Sequence, residues 1–226
     1  STDPQKQSPA DLLSESCAFE QSGDISHALK SAKQALELAH SDGVAEEIAA
    51  ALVRIALVQY HLGHFEQAHR LAEESLDASR PDAQTRAEAL RILGNCTHEL
   101  GDLEAAENFF HQAIDLARSQ GYGRILQSCL HSLSACVYLP RGQFELALAA
   151  DNEALHLAIE LDLPEVAWFS LEMIGWIYWI TGQRARALDA IEKMKQYVQA
   201  GSMAEGYYLC LCGDLAVNNE NPDSAL

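Results

Sequence analysis

The chain has 226 residues, 48% of them hydrophobic, so a large core is available and global disorder is excluded. Its 33 acidic residues against 15 basic ones leave a formal charge of -18, which disfavours direct contact with nucleic acid or anionic lipid. No run approaches the ~18 apolar residues of a membrane span and no secretory leader opens the chain, so a cytoplasmic protein off the membrane is expected.

Taken in chain order, segments with helical periodicity pair into hairpins over residues 9–40, 44–80, 83–120, 124–162 and 164–200. The first helix of a sixth, truncated unit follows, within residues 203–226. Each hairpin turns at a glycine, and Gly23, Gly63, Gly101, Gly142 and Gly182 recur at steps of 40, 38, 41 and 40 residues. An alanine stands five residues after each: Ala28, Ala68, Ala106, Ala147 and Ala187. In the sixth copy Glu220 replaces the glycine and Ala225 keeps the register. The turn glycine supplies a dihedral that other residues resist, and the alanine permits close approach of two helices. One hairpin cannot bury its own faces, so the units are expected to stack as a single repeat array across residues 1–226.

In the third unit Leu90, Leu93, Gly94 and Thr97 form the buried side of the first helix, facing Ala106, Phe110, Ala113 and Ile114 of the second. Ser16 stands where Gly94 does and Ala56 does so in unit two, substitutions expected to be drift without chemical meaning. The fourth unit has one residue more than the third between Leu133 and its turn glycine, with Pro140 in that interval. A disturbed last turn is expected there. The six cysteines lack the spacing of a metal knuckle and read as buried free thiols in a reducing compartment. His61, His64 and His69 straddle a turn with no cysteine nearby, so no metal is expected. Neither a nucleophile elbow nor a phosphate loop is present, so no catalytic residue and no cofactor are expected.

The stretches "RILGNCTHELGDLEAAENFFHQAIDLA" and "LEMIGWIYWITGQRARALDAIEKM" resemble the tetratricopeptide repeat. The likeness rests on Gly94, Gly101, Ala106 and Ala113 in one, and on Gly175, Tyr178, Gly182 and Ala187 in the other. The period near 40, against about 34 for the standard repeat, is similar to the longer-helix variety of bacterial signalling regulators and polarity adaptors. The resemblance implies an all-α, tetratricopeptide-like right-handed superhelix whose first helices line a concave groove.

Aligned by the turns, the groove is expected to present Val53, Leu57 and Tyr60, then Glu88, Arg91, Asn95 and His98. His131, Ala135 and Tyr138 follow, then Phe169, Glu172, Trp176 and Trp179, then Tyr207 and Asp214. Arg54 falls one residue out of register, on the flank. Trp176 and Trp179 have two readings, as anchors for a partner or as packing against the next unit. The Arg91/Asn95 pair only weakly resembles the family's carboxylate clamp, and that specificity is not carried over.

The function expected is a non-enzymatic module, part of a larger protein, binding a peptide, a helix or a neighbouring domain of the same chain. The alternative is a small-ligand sensor arm of a multidomain bacterial signalling or transcription regulator. Self-association through the apolar edge at Leu209 and Leu215 is a third expectation, with residues 219–226 fraying.

Overall fold

The computed structural model describes residues 7–78, 82–198 and 203–220, with side chains throughout except at 203–204 and 214–220. Every regular element among them is helical. The chain divides into two compact units between Ile125 and Leu126. The first holds three hairpins, α1 (Pro9–Gln21) with α2 (Ile25–Asp42), α3 (Ala45–His61) with α4 (Phe65–Asp77), and α5 (Ala83–Glu99) with α6 (Leu103–Gln120). The second begins within α7 (Gly123–Leu133), which continues as a π-turn over Ser134–Tyr138, and goes on through α8 (Phe144–Glu160), α9 (Pro164–Ile180), α10 (Arg184–Met194) and α11 (Met203–Glu220). Within it α8 packs on α9, α9 on α10, and α11 on both α9 and α10.

The repeated turn has one physical form. Gly101 takes φ +93, its N–H donates to the His98 carbonyl at 2.9 Å, and the Asp102 N–H donates to the Thr97 carbonyl at 3.0 Å. These two bonds cap the orphan carbonyls at a helix end and need a left-handed residue between them. The turns at Gly23, Gly63, Gly142 and Gly182 repeat the six-residue bond, with φ between 68 and 82. Asp24 and Asp102, placed straight after the glycine, cap the next helix by accepting from His27 and Ala105 N–H groups.

A size trade governs each crossing of a hairpin's two helices. A Cβ placed on Gly94 would lie 2.6 Å from a ring carbon of the fully buried Phe110. Phe110 stands four residues after the register alanine Ala106, where the other units carry Ala32, Ala72, Asp151 and Ile191. The facing residues are Ser16, Ala56, Ser134 and Gly175, so a bulky residue on one helix meets glycine on the other. The serines are not drift. Ser16 Oγ donates to the Ala28 carbonyl at 2.7 Å, bonding the register alanine of its own hairpin, and Ser134 Oγ lies 3.2 Å from the carbonyl of its register alanine, Ala147.

The extra residue of the fourth hairpin is absorbed in the π-turn. The Leu139 N–H donates to the carbonyl of Ser134, five residues back, at 2.9 Å. The wider turn ends just before Pro140, whose ring could not continue an α-helix.

Arg54 is a correction. Its backbone falls out of the groove register, yet it is buried at 8% exposure and does not lie on a solvated flank. Its guanidinium meets Glu20 Oε2 at 2.8 Å and donates to Ser16 Oγ at 2.8 Å and the Ser16 carbonyl at 2.9 Å. Desolvating a guanidinium costs several kcal/mol, and these three contacts from α1 offset it. The thiols need correcting too: Cys96 and Cys129 are buried, Cys136 and Cys212 are half-buried, and Cys17 and Cys210 are exposed. On α11, Leu211 packs against Ile191 while Leu209 is 59% exposed. The expectations for Asp214, Leu215, Glu220 and Ala225 fall on side chains or residues outside those described, as does most of the fraying segment. Among the described residues no helix is long and apolar enough to cross a membrane.

Candidate functional site

In the first unit, the expected groove residues lie on α3 and α5. Tyr60 packs its ring 5.6 Å from Phe65 and 5.7 Å from His61, beside the core that joins α3, α4 and α5. Arg91 Nε donates to Glu88 Oε2 at 2.9 Å, one turn earlier on the same helix. Asn95 is buried at 6% exposure, and its Oδ1 has no hydrogen-bond partner. His98 Nδ1 is likewise buried without one. Residues 88, 91, 95 and 98 share one face by helical spacing. Leaving such atoms unpaired costs about 1–3 kcal/mol each, so this face carries unmet hydrogen-bonding capacity.

In the second unit His131, Phe169 and Glu172 come together around a residue that the groove register does not contain. Asp151, on α8, is wholly buried, with His131 Nδ1 2.9 Å from its Oδ1 and the Ser134 hydroxyl donating to its Oδ2. Ser170 Oγ, also wholly buried, stands near the same carboxyl outside hydrogen-bonding geometry. Burial raises the Asp151 carboxyl above the ordinary range, against the pull of His131 and Ser134. Glu172 is raised for the same first reason, desolvation, with the nearby Asp151 charge adding and His131 opposing. Phe169 lies 5.6 Å from the His131 ring and stacks on Trp168 at 3.7 Å; Trp168 in turn meets Tyr207 at 5.5 Å.

This trio is no nucleophile relay. The acid sits between serine and histidine, so the Ser134 proton points to Asp151 and not to an imidazole base. Among the described residues no set of three or more His, Cys, Asp or Glu is disposed to hold a metal.

The remaining expected residues are spread along the unit. Tyr138, half-buried, closes the π-turn. Trp176 and Trp179 pack against the Ile191/Leu211 cluster with Tyr208 and Cys212, yet both stay partly exposed. Arg184 stands over the Trp179 ring at 5.6 Å and Arg186 over Tyr178 at 5.5 Å. Tyr207 is 48% exposed.

Asp151 was missed because second helices were read as scaffold. The signal was in the chain: an acid four residues after Ala147, where the other hairpins place Ala, Ala, Phe and Ile. Ser134 opposite it, in the small-residue position, completed the pair.

The tetratricopeptide repeat family model matches residues 47–119. No curated protein matches the chain by sequence. Among solved structures it is similar to a Rap protein complexed with Competence and Sporulation Factor, at 17% identity and TM-score 0.73, over 84% of this chain and 53% of that one. Aspartyl phosphate phosphatase F from Bacillus subtilis is similar at 14% identity and TM-score 0.73, over 93% of this chain and 58% of that one. The chain therefore spans little more than half the length of these two proteins. A Podosopora anserina protein described as a kinesin light chain with nearly identical TPR-like repeats shares 16% identity at TM-score 0.59, over 85% of this chain and 97% of that one. The family match covers residues 47–119, and these likenesses together with the recurring glycine-capped hairpins show a tetratricopeptide-like helical-repeat fold.

Proposed function

We propose that the chain is a protein-interaction module whose first helices receive a peptide, a helix or a neighbouring domain. One observation carries this reading: Asn95 Oδ1 and His98 Nδ1 are buried without partners on one face of α5, next to Arg91. Both atoms are enclosed, so a partner's main-chain N–H and C=O groups would meet that unused capacity as the Asn95 and His98 side chains turn outward. The solved Rap complex supports the reading by analogy of fold. The balance of -18 favours a partner with basic character over nucleic acid.

The test is to identify a partner by cross-linking, then titrate it calorimetrically against wild type, Asn95→Ala and Trp176→Ala/Trp179→Ala. Weakened binding by Asn95→Ala supports the α5 face, and unchanged affinity in every variant refutes the groove. A second reading, a sensor arm of a larger regulator, is favoured by the chain's 53% coverage of the Rap protein. An open reading frame without an effector domain would remove it.

A further inference from the structure

Glu172 is a half-buried carboxyl for which, among the described residues, no hydrogen bond or ion pair is made. Among the described residues, the titratable groups acting on it are His131 from α7 and Asp151 from α8. Asp151 is wholly enclosed, yet three potential donors surround it: His131 Nδ1, Ser134 Oγ and the unpartnered, fully buried Ser170 Oγ. Such an arrangement can hold a charged carboxylate once something compensates the desolvation. Burial outweighs the pull of His131 and Ser134, so both carboxyls are pushed upward, and a cation beside Glu172 would favour their ionised forms.

Phe169 and Trp176 stand at i-3 and i+4 from Glu172 on α9, so the carboxyl shares one face of the helix with two aromatic residues. The same helix already draws guanidinium groups onto its rings, Arg184 over Trp179 and Arg186 over Tyr178. We propose that Glu172, between Phe169 and Trp176, seats a cationic side chain of the bound partner, and that seating it expels a proton from the Asp151–Glu172 pair to solvent. This rests on the interaction-module reading and adds the chemistry of the occupant. A cation favours both carboxyls ionised, so affinity rises with pH until the pair has lost its proton, and falls as the pair reprotonates.

All three tryptophans, Trp168, Trp176 and Trp179, stand on α9, so indole emission of the full chain reports on this helix alone. The probes are N-acetyl-arginine amide and its neutral isostere N-acetyl-citrulline amide. The arginine compound should shift the emission and the citrulline compound should not. Its affinity should fall by up to about tenfold per pH unit below the midpoint, the limit for one linked proton. Calorimetry in two buffers of different ionisation heat should show proton release. Glu172→Gln should abolish the response without lowering the melting temperature. Asp151→Asn should keep the response, move its midpoint to lower pH and reduce the protons released.

Equal responses to arginine and citrulline amides, no response to either, or a response indifferent to Glu172→Gln overturns the cation seat. An arginine response with no pH dependence overturns the proton link. A verified partner that binds Glu172→Gln as tightly as wild type refutes the seat and leaves the module reading standing. Failure to find any partner refutes the module and leaves the arginine titration to decide the seat.

Discussion

Gly94→Ala tests the size trade at the helix crossing. The added methyl would lie 2.6, 2.8 and 2.9 Å from three ring carbons of Phe110, where ordinary contacts begin at 3.4 Å. The ring would have to retreat by roughly 0.8 Å inside a core where Phe110 is fully buried, and overpacking of that kind costs about 1–3 kcal/mol. Replacing glycine in a helix interior returns about 1 kcal/mol, so the net loss should be about 0–2 kcal/mol. Phe110→Ala alone should cost about 3–5 kcal/mol through its cavity. In that background the methyl has no ring to meet, and Gly94→Ala should stabilise by about 1 kcal/mol. The coupling in the double-mutant cycle is then about 1–3 kcal/mol. Urea unfolding followed by far-ultraviolet circular dichroism measures all four proteins; tryptophan emission would not serve, because these helices contain no tryptophan. A Gly94→Ala effect of the same sign and size in both backgrounds would falsify the steric account.

Arg54→Ala should destabilise by about 1–3 kcal/mol, because the partly buried Glu20 loses its guanidinium and keeps only His61, and Arg54→Ala/Glu20→Ala should cost less than the single change. Thermal melts of both variants decide it. Burial would raise the Glu20 carboxyl, but the His61 contact and the Arg54 charge outweigh it and hold it below the ordinary range. Stability from this pair is therefore complete above about pH 4.3 and is lost as pH falls through the lower folded value; Glu20→Gln should flatten that acid limb. Asp151 behaves oppositely. Between the ordinary value of about 3.9 and its raised folded value the native chain holds a proton that the unfolded chain has lost, so stability falls as pH rises through that window. Asp151→Asn should remove this slope and melt no lower than wild type at neutral pH, whereas Ser134→Ala, which deletes a buried donor, should cost about 1–3 kcal/mol. Melting curves read by tryptophan emission across pH check both.

Much of the fold was legible because backbone geometry restricts residue choice. A left-handed turn all but demands Gly101, and a close helix crossing demands a small residue at 94, so both needs surface as periodic letters. The π-turn was legible by counting, since one surplus residue before Gly142 had to go somewhere and Pro140 limited where. Arg54 was not legible. Its partners are Ser16 and Glu20, 38 and 34 positions away, and helical phase alone put it one step outside the groove. Asp151 was missed for a related reason: a buried acid is sensible only once His131 and Ser134 are seen to meet it. The phase argument put His131, Phe169 and Glu172 on the expected groove side, and the rings of His131 and Phe169 meet, but it left open whether Trp176 and Trp179 bind or pack. They do pack on the Ile191/Leu211 cluster, and they retain exposed surface.

Two pairings of small with large residues fall inside single hairpins, Gly94 with Phe110 and Ser134 with Asp151, whereas Gly175 lies closest to Leu211 of α11. A hairpin of the first kind, copied by gene duplication, carries its own internal fit and can drift in side-chain volume provided both members change together. The Arg54–Glu20 pair is different, since it ties α3 to α1 across two hairpins. Those two must be inherited as one cassette: a recombination event between them would strand a buried charge on either side.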